Sequence, residues 1–330
     1  MTADHLSVRI YNPLHKLLEH FVKGLSETLN AGGISTVLLP SPDGEVGGEI
    51  RAKALALGAH VSSARRYVHQ SGTNVVAWPL LGWWEMPLWR HRTHKTLIVM
   101  HDPEPLGRQN GISPRAARLS RLASGSKWPQ LVVLSPEAYE ISAQYFDRAH
   151  IHMAPHPMAL PSAKEDKTAS RTILVLGRYK PARDLEIMTA IAPVLRAGGW
   201  EPTVVGSGWP LIPGWRVVDK FLSEAEIDTL LQSAAVVLLP YRFYFQSGVV
   251  LRALEAGVPV VGRETGFLSS ILGTGFPGLV KTWDDPGSWI LAVEAAVAGQ
   301  ANQLLAAAAY SRRGTSEWCS LLSSSALNGE

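Results

Sequence analysis

The chain has 330 residues, of which 46 % are hydrophobic and 18 % are charged. This length and composition predict about two domains with substantial cores and exclude disorder as the main state. The single cysteine, Cys319, excludes a disulfide framework and a cysteine-based zinc cluster. The formal charge of +3 is too small to indicate a nucleic-acid partner by itself.

Short apolar, β-branched segments alternate along the chain with amphipathic or alanine-rich ones. The predicted strands are Val8–Tyr11, Ser35–Leu39, Val75–Trp78, Leu97–Met100, Leu131–Leu134, Ile151–Ala154, Ile173–Leu176, Pro202–Val205, Trp215–Val218, Val236–Leu239, Val258–Val261 and Gly278–Val280. The predicted helices are Leu14–Asn30, Gly48–Ala56, Pro114–Ala123, Pro136–Phe146, Leu185–Arg196, Glu224–Ser233, Val249–Ala256 and Pro286–Ala298. Apolar strands that alternate with helices are typical of parallel α/β sheets covered on both faces.

A polar segment divides this pattern into two similar halves. Ala159–Arg171 contains proline and serine and shows no apolar periodicity, so it is predicted to be a linker. We therefore expect two doubly wound domains, formed by residues 1–158 and 171–310. Ligands of doubly wound sheets bind at the carboxyl ends of the strands, so the loops that leave each strand are the candidates for function.

In the C-terminal half, Val236–Arg263 joins a buried strand to a helix through an irregular loop. Ser247 is suited to cap that helix, and Gly248 would let a ligand approach the backbone. The N–H groups of a first helical turn can hold a phosphate. An ordinary capped helix of an α/β sheet explains the same residues.

Two further segments of this half follow strands. Arg178 lies directly after one strand tip and Arg183 lies five residues later, at the mouth of a helix. Two guanidinium groups at one strand end suit a diphosphate, although solvated or carboxylate-paired arginines are the alternative. Gly206 and Gly208, in TVVGSGW, allow close backbone approach but also fit a plain turn.

The order of these segments resembles the donor half of the retaining glycosyltransferases of family 4, which have the GT-B architecture of two facing Rossmann-like domains. The resemblance rests on GRYKPARDL, VVGSG, FLSEAEIDTLLQSAAVVLLPY, QSGVVLRALEAGVPVV and ETGF, and covers about 140 residues. It implies an N-terminal acceptor-binding domain, to which a helix at 311–330 returns, and a C-terminal domain that binds a nucleotide-sugar donor.

The resemblance also implies roles for individual residues. Arg178 and Arg183 would contact the donor diphosphate, and the loop before the last motif helix would donate backbone N–H groups to the phosphates. The donor-binding candidates are Arg178, Arg183, Gly206, Tyr241, Gln246, Ser247, Gly248 and Glu255. One feature departs from the family: its two glutamates, eight residues apart, are replaced by Tyr244 and Arg252. The sequence therefore indicates a variant of the family and leaves the identity of the donor open.

In the N-terminal half, LIVMHDPEP ends a buried strand in His101 and Asp102. A histidine at a strand tip can hydrogen-bond a sugar hydroxyl, although a His-Asp pair without a function is common. The resemblance implies that His101 helps to position sugar and acceptor, with Asp102 orienting the ring. These two residues are the catalytic candidates.

Four tryptophans lie between Trp78 and Trp89, just after a strand. Indole rings stack on sugars and also sit well at membrane interfaces, whereas core packing is the alternative for Trp78 and Trp89. The acceptor-binding candidates are Asn12, Trp84 and Glu85.

Residues 106–130 include five basic residues and no acidic one. Arg115, Arg118 and Arg121 recur every three residues beside Leu119 and Leu122, which on a helix places a basic stripe next to an apolar one. Such a helix suits an anionic membrane surface or a lipid diphosphate, and a solvated basic face is the alternative. No aromatic RNA-binding motif accompanies it, so no nucleic-acid partner is expected.

The first residues contain no basic segment followed by a long apolar one, so no secretory signal is expected. No segment approaches the roughly 18 consecutive apolar residues of a membrane-spanning helix. We expect a cytoplasmic protein that is at most peripheral at the inner face of the cell membrane.

These patterns and the resemblance together predict transfer of a sugar, with retention, from a nucleotide-diphosphate sugar to a saccharide or lipid-linked saccharide acceptor, in polysaccharide or glycoconjugate biosynthesis. No cofactor and no metal ion is expected. A nucleotide-sugar 2-epimerase-like enzyme and a non-catalytic nucleotide-sugar-binding subunit are the alternatives. An NAD enzyme is disfavoured, because no strand is followed by a complete G-x-G-x-x-G with an acidic residue about 20 positions later.

Overall fold

The computed structural model describes residues 7–14, 18–41, 50–69, 72–90, 96–104, 111–124, 128–162 and 170–327. The chain divides into two compact units. The first consists of Met1–Met158 with Arg313–Glu330, and the second of Ala159–Arg312. Each unit is built around a six-stranded sheet.

The sheet of the first unit is parallel throughout and has the order β2-β1-β3-β4-β5-β6. Its strands are β1 (Ser7–Tyr11), β2 (Ser35–Leu39), β3 (Thr73–Val76), β4 (Thr96–Met100), β5 (Gln130–Val133) and β6 (Ile151–Met153). Its helices are α1 (Glu19–Ala31), α2 (Ile50–Tyr67), α3 (Glu85–Leu88), α4 (Pro114–Ser124) and α5 (Pro136–Ser142), with 3₁₀ turns at Gly82–Trp84 and Arg148–His150. Strands β3 and β4 are wholly buried, as expected of a sheet covered on both faces.

The sheet of the second unit is also parallel, with the order β12-β11-β10-β7-β8-β9. Its strands are β7 (Thr172–Leu176), β8 (Glu201–Val205), β9 (Arg216–Val218), β10 (Val236–Leu239), β11 (Val260–Arg263) and β12 (Leu279–Val280). Its helices are α6 (Leu185–Ala197), α7 (Glu224–Ser233), α8 (Gly248–Glu255), α9 (Gly266–Leu272) and α10 (Pro286–Ala298), and α11 (Gln300–Leu327) contributes residues to both units. Helices α6 and α10 pack on one face of the sheet around Trp215 and Trp289.

The strand orders place a topological switch point in each sheet. In the first, the chain runs from β1 to β2 on one side and then to β3 on the other. In the second, it runs from β7 through β8 and β9 and then returns to β10 on the other side of β7. The loops after β7 and β10 therefore leave neighbouring strands at the carboxyl edge, where ligands of doubly wound sheets bind.

The structure confirms the predicted fold class and all twelve strands, whose ends differ from the predicted ones by at most two residues. The predicted helices agree less well with the structure. Helix α2 runs to Tyr67, past Gly58, which the sequence analysis treated as outside the helix; helices α3 and α9 were not predicted. The terminal helix begins at Gln300 rather than at Ser311, because the alanine-rich segment continues into it.

The C-terminal part of α11 belongs to the core of the first unit. The side chains of Trp318 and Leu322 are fully buried and pack with β1, β3 and α1. The indole Nε1 of Trp318 donates to the carbonyl oxygen of Pro155 at 2.7 Å. Within the described residues, no single helix has the length and apolar composition to cross a bilayer, although α10 and α11 meet that criterion jointly as a pair bent by 80°.

Replacing Trp318 should destabilise the first unit. We expect Trp318→Ala to lower its free energy of unfolding by about 3–5 kcal/mol, because a large cavity opens in the core. Trp318→Phe should cost less, since only the bond to Pro155 and part of the volume are lost. Urea unfolding of the full chain measures both, with Ser320→Ala at an exposed position of the same helix as the control. A loss below about 1 kcal/mol for Trp318→Ala would contradict this packing.

Candidate functional site

The loops that follow β7 and β10 are joined by backbone hydrogen bonds. The N–H of Asp184 donates to Pro240 at 2.7 Å, and the N–H of Arg242 donates to Ala182 at 2.9 Å. Between these bonds, Arg183 and Tyr241 form an isolated antiparallel bridge. Two residues that the sequence analysis assigned to the donor site, Arg183 and Tyr241, are thereby brought into contact.

Arg183 is a buried cation. Only 5 % of the residue is exposed, and its guanidinium carbon lies 3.9 Å from the ring centre of Tyr241 and 5.1 Å from that of Trp209. Its Nη2 donates to the carbonyl oxygen of Leu176 at 2.7 Å. Among the described residues, its Nε has no hydrogen-bond partner and the guanidinium has no carboxylate within salt-bridge distance.

Burial lowers the pKa of Arg183 from its ordinary value, because desolvation disfavours the charged form; the nearby Tyr241 acts in the opposite direction. A guanidinium keeps its proton in proteins nonetheless. A buried charge that lacks a counterion is costly. An anionic ligand at this position would supply the missing charge and accept the hydrogen bond of Nε.

Trp209 stabilises the loops on the other side of Arg183. Its Nε1 donates to Gly177 at 2.7 Å, and its ring meets that of Tyr179 edge to face at 5.4 Å. Gly206 has a φ of +154°, and a Cβ at this position would overlap the Gly177 carbonyl oxygen. The backbone of Gly206 therefore approaches that of Gly177 closely, and the predicted approach of a ligand to Gly206 stays a prediction.

The second predicted cation, Arg178, is exposed at the tip that follows Gly177. Gly177 has a φ of +98°, a conformation that glycine adopts without strain and that turns the chain out of the sheet. Arg178 thus lies at the same edge of the sheet as Arg183, in contact with solvent rather than buried. Its predicted role at a diphosphate stays a prediction.

Gln246, Ser247 and Gly248 lead from the loop after β10 into α8. Ser247 occupies the N-cap position with an extended backbone, but its side chain makes no capping hydrogen bond, so the predicted capping by the Ser247 hydroxyl is wrong. Nothing lies within 4 Å of a Cβ built on Gly248, so the space beside the helix start is open. Gln246 is half-buried just before it.

Glu255 lies at the opposite end of α8 from Gly248, about 10 Å away at the helical rise of about 1.5 Å per residue. Its carboxylate accepts a 2.7 Å hydrogen bond from the N–H of Ala159, and its carbonyl oxygen accepts two from Ser162. These bonds hold the segment that opens the second unit. The structure thus shows a structural role for Glu255, and its predicted contact with the donor stays a prediction.

The positions of the family's two glutamates are occupied by structural residues. Tyr244 is buried, and its hydroxyl donates to the carbonyl oxygen of Arg263 at 3.3 Å. Arg252 forms salt bridges to Glu224 and Asp228 of α7, both at 2.5 Å. Arg252 thus ties α7 to α8.

In the first unit, His101 follows β4 and is fully buried. Its Nε2 lies 2.9 Å from the carbonyl oxygen of Ala77, which can only accept, so Nε2 carries the hydrogen. Burial lowers the pKa of His101 to about 4, although the bond to Ala77 acts to raise it. The imidazole is therefore neutral at pH 7. Asp102 is half-buried beside it.

A second buried histidine accompanies His101. The ring of His156, which follows β6, lies 6.1 Å from that of His101, and the ring of Phe21 contacts both edge to face. Burial, followed by the charge of His101, lowers the pKa of His156 to about 3; His20 adds a smaller effect in the same direction. Two neutral imidazoles thus lie at the carboxyl edge of this sheet.

The predicted acceptor residues have different environments. Asn12 follows β1, accepts a 3.0 Å hydrogen bond from the N–H of Leu14 and lines a cavity of about 750 Å³ together with Lys23 and Glu27. Trp84 is 39 % exposed.

The structure contradicts the predicted acceptor-binding role of Glu85. Its carboxylate is fully buried and accepts hydrogen bonds from Trp89 Nε1 at 2.8 Å and from the N–H of Leu81 at 2.9 Å. It also lies 2.8 Å from His60, whose other ring nitrogen is 3.1 Å from the hydroxyl of Tyr11. Glu85 therefore holds the first unit together and does not present its carboxylate to an acceptor.

Some residues of both edges were missed by the sequence analysis. Trp209 and His156 carry no signal in the spacing of the motifs; each acquires its role by contact with a residue far away in the chain. Within the described residues, no group of three histidine, cysteine or acidic side chains is arranged to hold a metal ion.

Comparison with known proteins gives a match for the second unit. Residues 170–298 match the family model described as glycosyl transferases group 1. This is fewer than half of the residues of the chain, and it coincides with the segments that carried the resemblance. No curated protein matches the chain by sequence.

Solved structures share the fold of both units. The catalytic domain of starch synthase IV from Arabidopsis thaliana, bound to ADP and acarbose, is 12 % identical with a TM-score of 0.64, and the match covers 98 % of this chain and 99 % of that one. HepE from Anabaena, in complex with UDP and glucose, is 11 % identical with a TM-score of 0.62, covering 98 % and 100 %. TarM is 12 % identical with a TM-score of 0.60; the match covers 83 % of this chain and spans only 58 % of TarM. The two α/β units thus have the fold of GT-B glycosyltransferases.

The buried histidines predict a loss of stability in acid. About one pH unit above 6.5, native and unfolded histidines are both almost entirely neutral. Below about pH 6.5 the histidines of the unfolded chain bind protons. In the native first unit, His101 stays neutral down to about pH 4 and His156 down to about pH 3, so the unfolded state binds more protons over this range. The free energy of unfolding therefore decreases, by up to about 1.4 kcal/mol per pH unit for each histidine.

Urea unfolding between pH 7.5 and 4 measures this slope. His156→Gln should flatten it, even if the variant is less stable at pH 7.5, whereas the control His69→Gln at an exposed position should leave it unchanged. An equal slope in all three proteins would show that His156 is not buried in its neutral form.

Proposed function

We propose that the protein transfers a sugar from a nucleotide-diphosphate sugar to an acceptor hydroxyl. The observation that carries this proposal is Arg183, a buried guanidinium with an unpartnered Nε among the described residues, at the switch point of the unit that matches the glycosyl transferase model. A nucleotide diphosphate is an anion whose oxygens accept charge-assisted hydrogen bonds from such a group.

The positive groups that would bind the diphosphate would also stabilise the leaving group of the transfer reaction. When the sugar leaves, negative charge develops on the phosphate of the nucleotide, and fixed positive groups are worth most in the transition state. Arg183 provides one such group, and Arg178 and the N-terminus of α8 at Ser247–Gly248 lie at the same edge of the sheet. Because Arg183 is held by two aromatic rings and the Leu176 carbonyl, it needs little reorganisation to act.

The finer parts of the proposal are retention of the anomeric configuration, independence of metal ions, and a saccharide or lipid-linked saccharide as acceptor. Independence of metal ions is supported by the arginines and the helix N-terminus, which supply positive charge of the kind a metal would provide. Solved structures with this fold have been captured with UDP and glucose and with ADP and acarbose, which supports a nucleoside diphosphate without selecting the base.

One observation favours a second candidate, a non-catalytic subunit that binds nucleotide sugar. Arg252, at the position of a family glutamate, is engaged by Glu224 and Asp228, and Tyr244 is buried at the position of the other. A site without these carboxylates could bind a donor and fail to turn it over.

Substitution of Arg183 tests the binding site. We expect Arg183→Met to weaken binding of the best nucleoside diphosphate by about 1.5–3 kcal/mol, or about ten- to a hundredfold, because a charged hydrogen-bonding group is lost. Without ligand, the variant should be as stable as the parent protein or more so, since a buried cation without a counterion is removed. Isothermal titration with UDP, GDP, ADP and dTDP measures affinity, and thermal unfolding measures stability.

The exposed Arg216 of the same unit provides the control, Arg216→Gln, which should leave affinity unchanged. Equal affinity of Arg183→Met and the parent protein would remove Arg183 from the site.

Turnover separates the two candidates. Release of nucleoside diphosphate from a bound nucleotide sugar, slow with water and faster with an acceptor, would support the transferase, and tight binding without release would support the non-catalytic subunit. In an active preparation we expect EDTA to leave the rate unchanged, and proton NMR of the first product to show the anomeric configuration of the donor.

A further inference from the structure

Helix α4 (Pro114–Ser124) has one buried and one exposed side. Ala116, Ala117 and Ser120 are buried against the first unit. The opposite side carries exposed arginines and leucines. Its residues are Arg115, Arg118, Leu119, Arg121 and Leu122, which we call the α4 face.

The α4 face presents exposed leucines and arginines side by side. Leu122 is 83 % exposed and Leu119 is 53 % exposed. Residues 115, 118, 119 and 122 follow the i, i+3, i+4, i+7 spacing of one helix face, so the leucines lie among the arginines. Among the described residues, none of the three arginines has a carboxylate within salt-bridge distance.

The surface next to α4 adds an aromatic side chain. The 3₁₀ turn Gly82–Trp84 packs against α4, and the N–H of Trp83 donates to Gly111, three residues before the helix, at 3.1 Å. Trp83 is fully buried, whereas Trp84 is 39 % exposed. Partly exposed indoles are favoured at the boundary between lipid headgroups and acyl chains.

We propose that the α4 face docks the protein on an anionic lipid bilayer. The two leucines would enter the headgroup region, and the arginines would contact lipid phosphates while their methylene stems lie along the apolar layer. The α4 face is about 11 Å long and about 10 Å wide, an area of about 100 Å², which is well below the roughly 800 Å² that each partner contributes to a stable protein interface. Charge and size therefore favour a bilayer over a second protein.

This inference does not depend on the proposed function, because it concerns binding to lipid and not turnover. The test is co-sedimentation of the full chain with vesicles of phosphatidylcholine alone and of an equal mixture of phosphatidylcholine and phosphatidylglycerol. We expect binding to the mixed vesicles only. The affinity should fall as the salt concentration rises above about 0.1 M, since screening shortens the range of the attraction.

Two sets of variants assign the binding to the α4 face. The triple substitution Arg115→Gln, Arg118→Gln and Arg121→Gln should weaken binding about a hundredfold, at about fivefold per arginine. The double substitution Leu119→Ser and Leu122→Ser should weaken it by a similar factor, because the apolar contact is lost. All five side chains are exposed, so thermal unfolding should be nearly unchanged.

Matched controls lie on other surfaces of the same unit. Arg65→Gln and Arg66→Gln in α2 with Lys23→Gln in α1 remove the same charge from exposed positions, and Leu55→Ser with Leu57→Ser removes two exposed leucines from α2. Both controls should bind mixed vesicles within about twofold of the parent protein, since neither changes a basic residue near the bilayer. Equal losses in the control and the α4 variants would overturn the proposal in favour of unspecific charge attraction.

A probe reports whether Leu122 enters the bilayer. In a Cys319→Ser background, Leu122→Cys labelled with an environment-sensitive fluorophore should shift its emission to the blue with mixed vesicles, and Leu55→Cys should not. No shift at position 122 would overturn the proposal. So would a failure to bind mixed vesicles, or self-association that is abolished by Leu122→Ser, which would assign the α4 face to a second copy of the chain.

Discussion

The candidate site of the second unit depends on one constraint, the buried guanidinium of Arg183. The cation lies between the rings of Tyr241 and Trp209, with one hydrogen bond to a carbonyl oxygen and no carboxylate partner among the described residues. Such a group is held at a cost that the surrounding structure must offset. The backbone bonds between the loops after β7 and β10, the bond of Trp209 to Gly177 and the contact of Gly206 with Gly177 all keep this cation in place.

The first unit differs in how it buries polar groups near the carboxyl edge of its sheet. Its polar groups are buried in neutral or fully paired form: His101 and His156 have lowered pKa values, and Glu85 is bonded by Trp89, Leu81 and His60. A neutral His101 can hydrogen-bond an uncharged hydroxyl and does not repel or attract a phosphate. The contrast between the buried cation of the second unit and the two buried neutral imidazoles of the first agrees with the nucleotide-binding and acceptor-binding domains that the resemblance implies.

The segments that resemble glycosyltransferases proved informative about position and less so about role. Arg183, Tyr241 and Gly248 lie at the switch point, as the order of motifs indicated. The carboxylate of Glu255 accepts a hydrogen bond from Ala159, and the buried carboxylate of Glu85 is engaged by His60 and Trp89. Ser247 has the right position for a cap, yet its hydroxyl makes no capping bond. The spacing of a motif predicts where a loop lies. It does not predict which atoms of that loop already form hydrogen bonds within the protein.

The amino-acid sequence by itself determined the α/β class, the twelve strands and the two-unit organisation, because the apolar pattern and the glycine and proline boundaries are local signals. Only the tertiary structure decided which polar side chains are buried and satisfied. His60 meets Glu85 across 25 residues, Ala159 meets Glu255 across 96, and Trp318 meets Pro155 across 163. Hydrogen bonds and desolvation depend on such distant partners, and these partners are neighbours only after the sheets have formed.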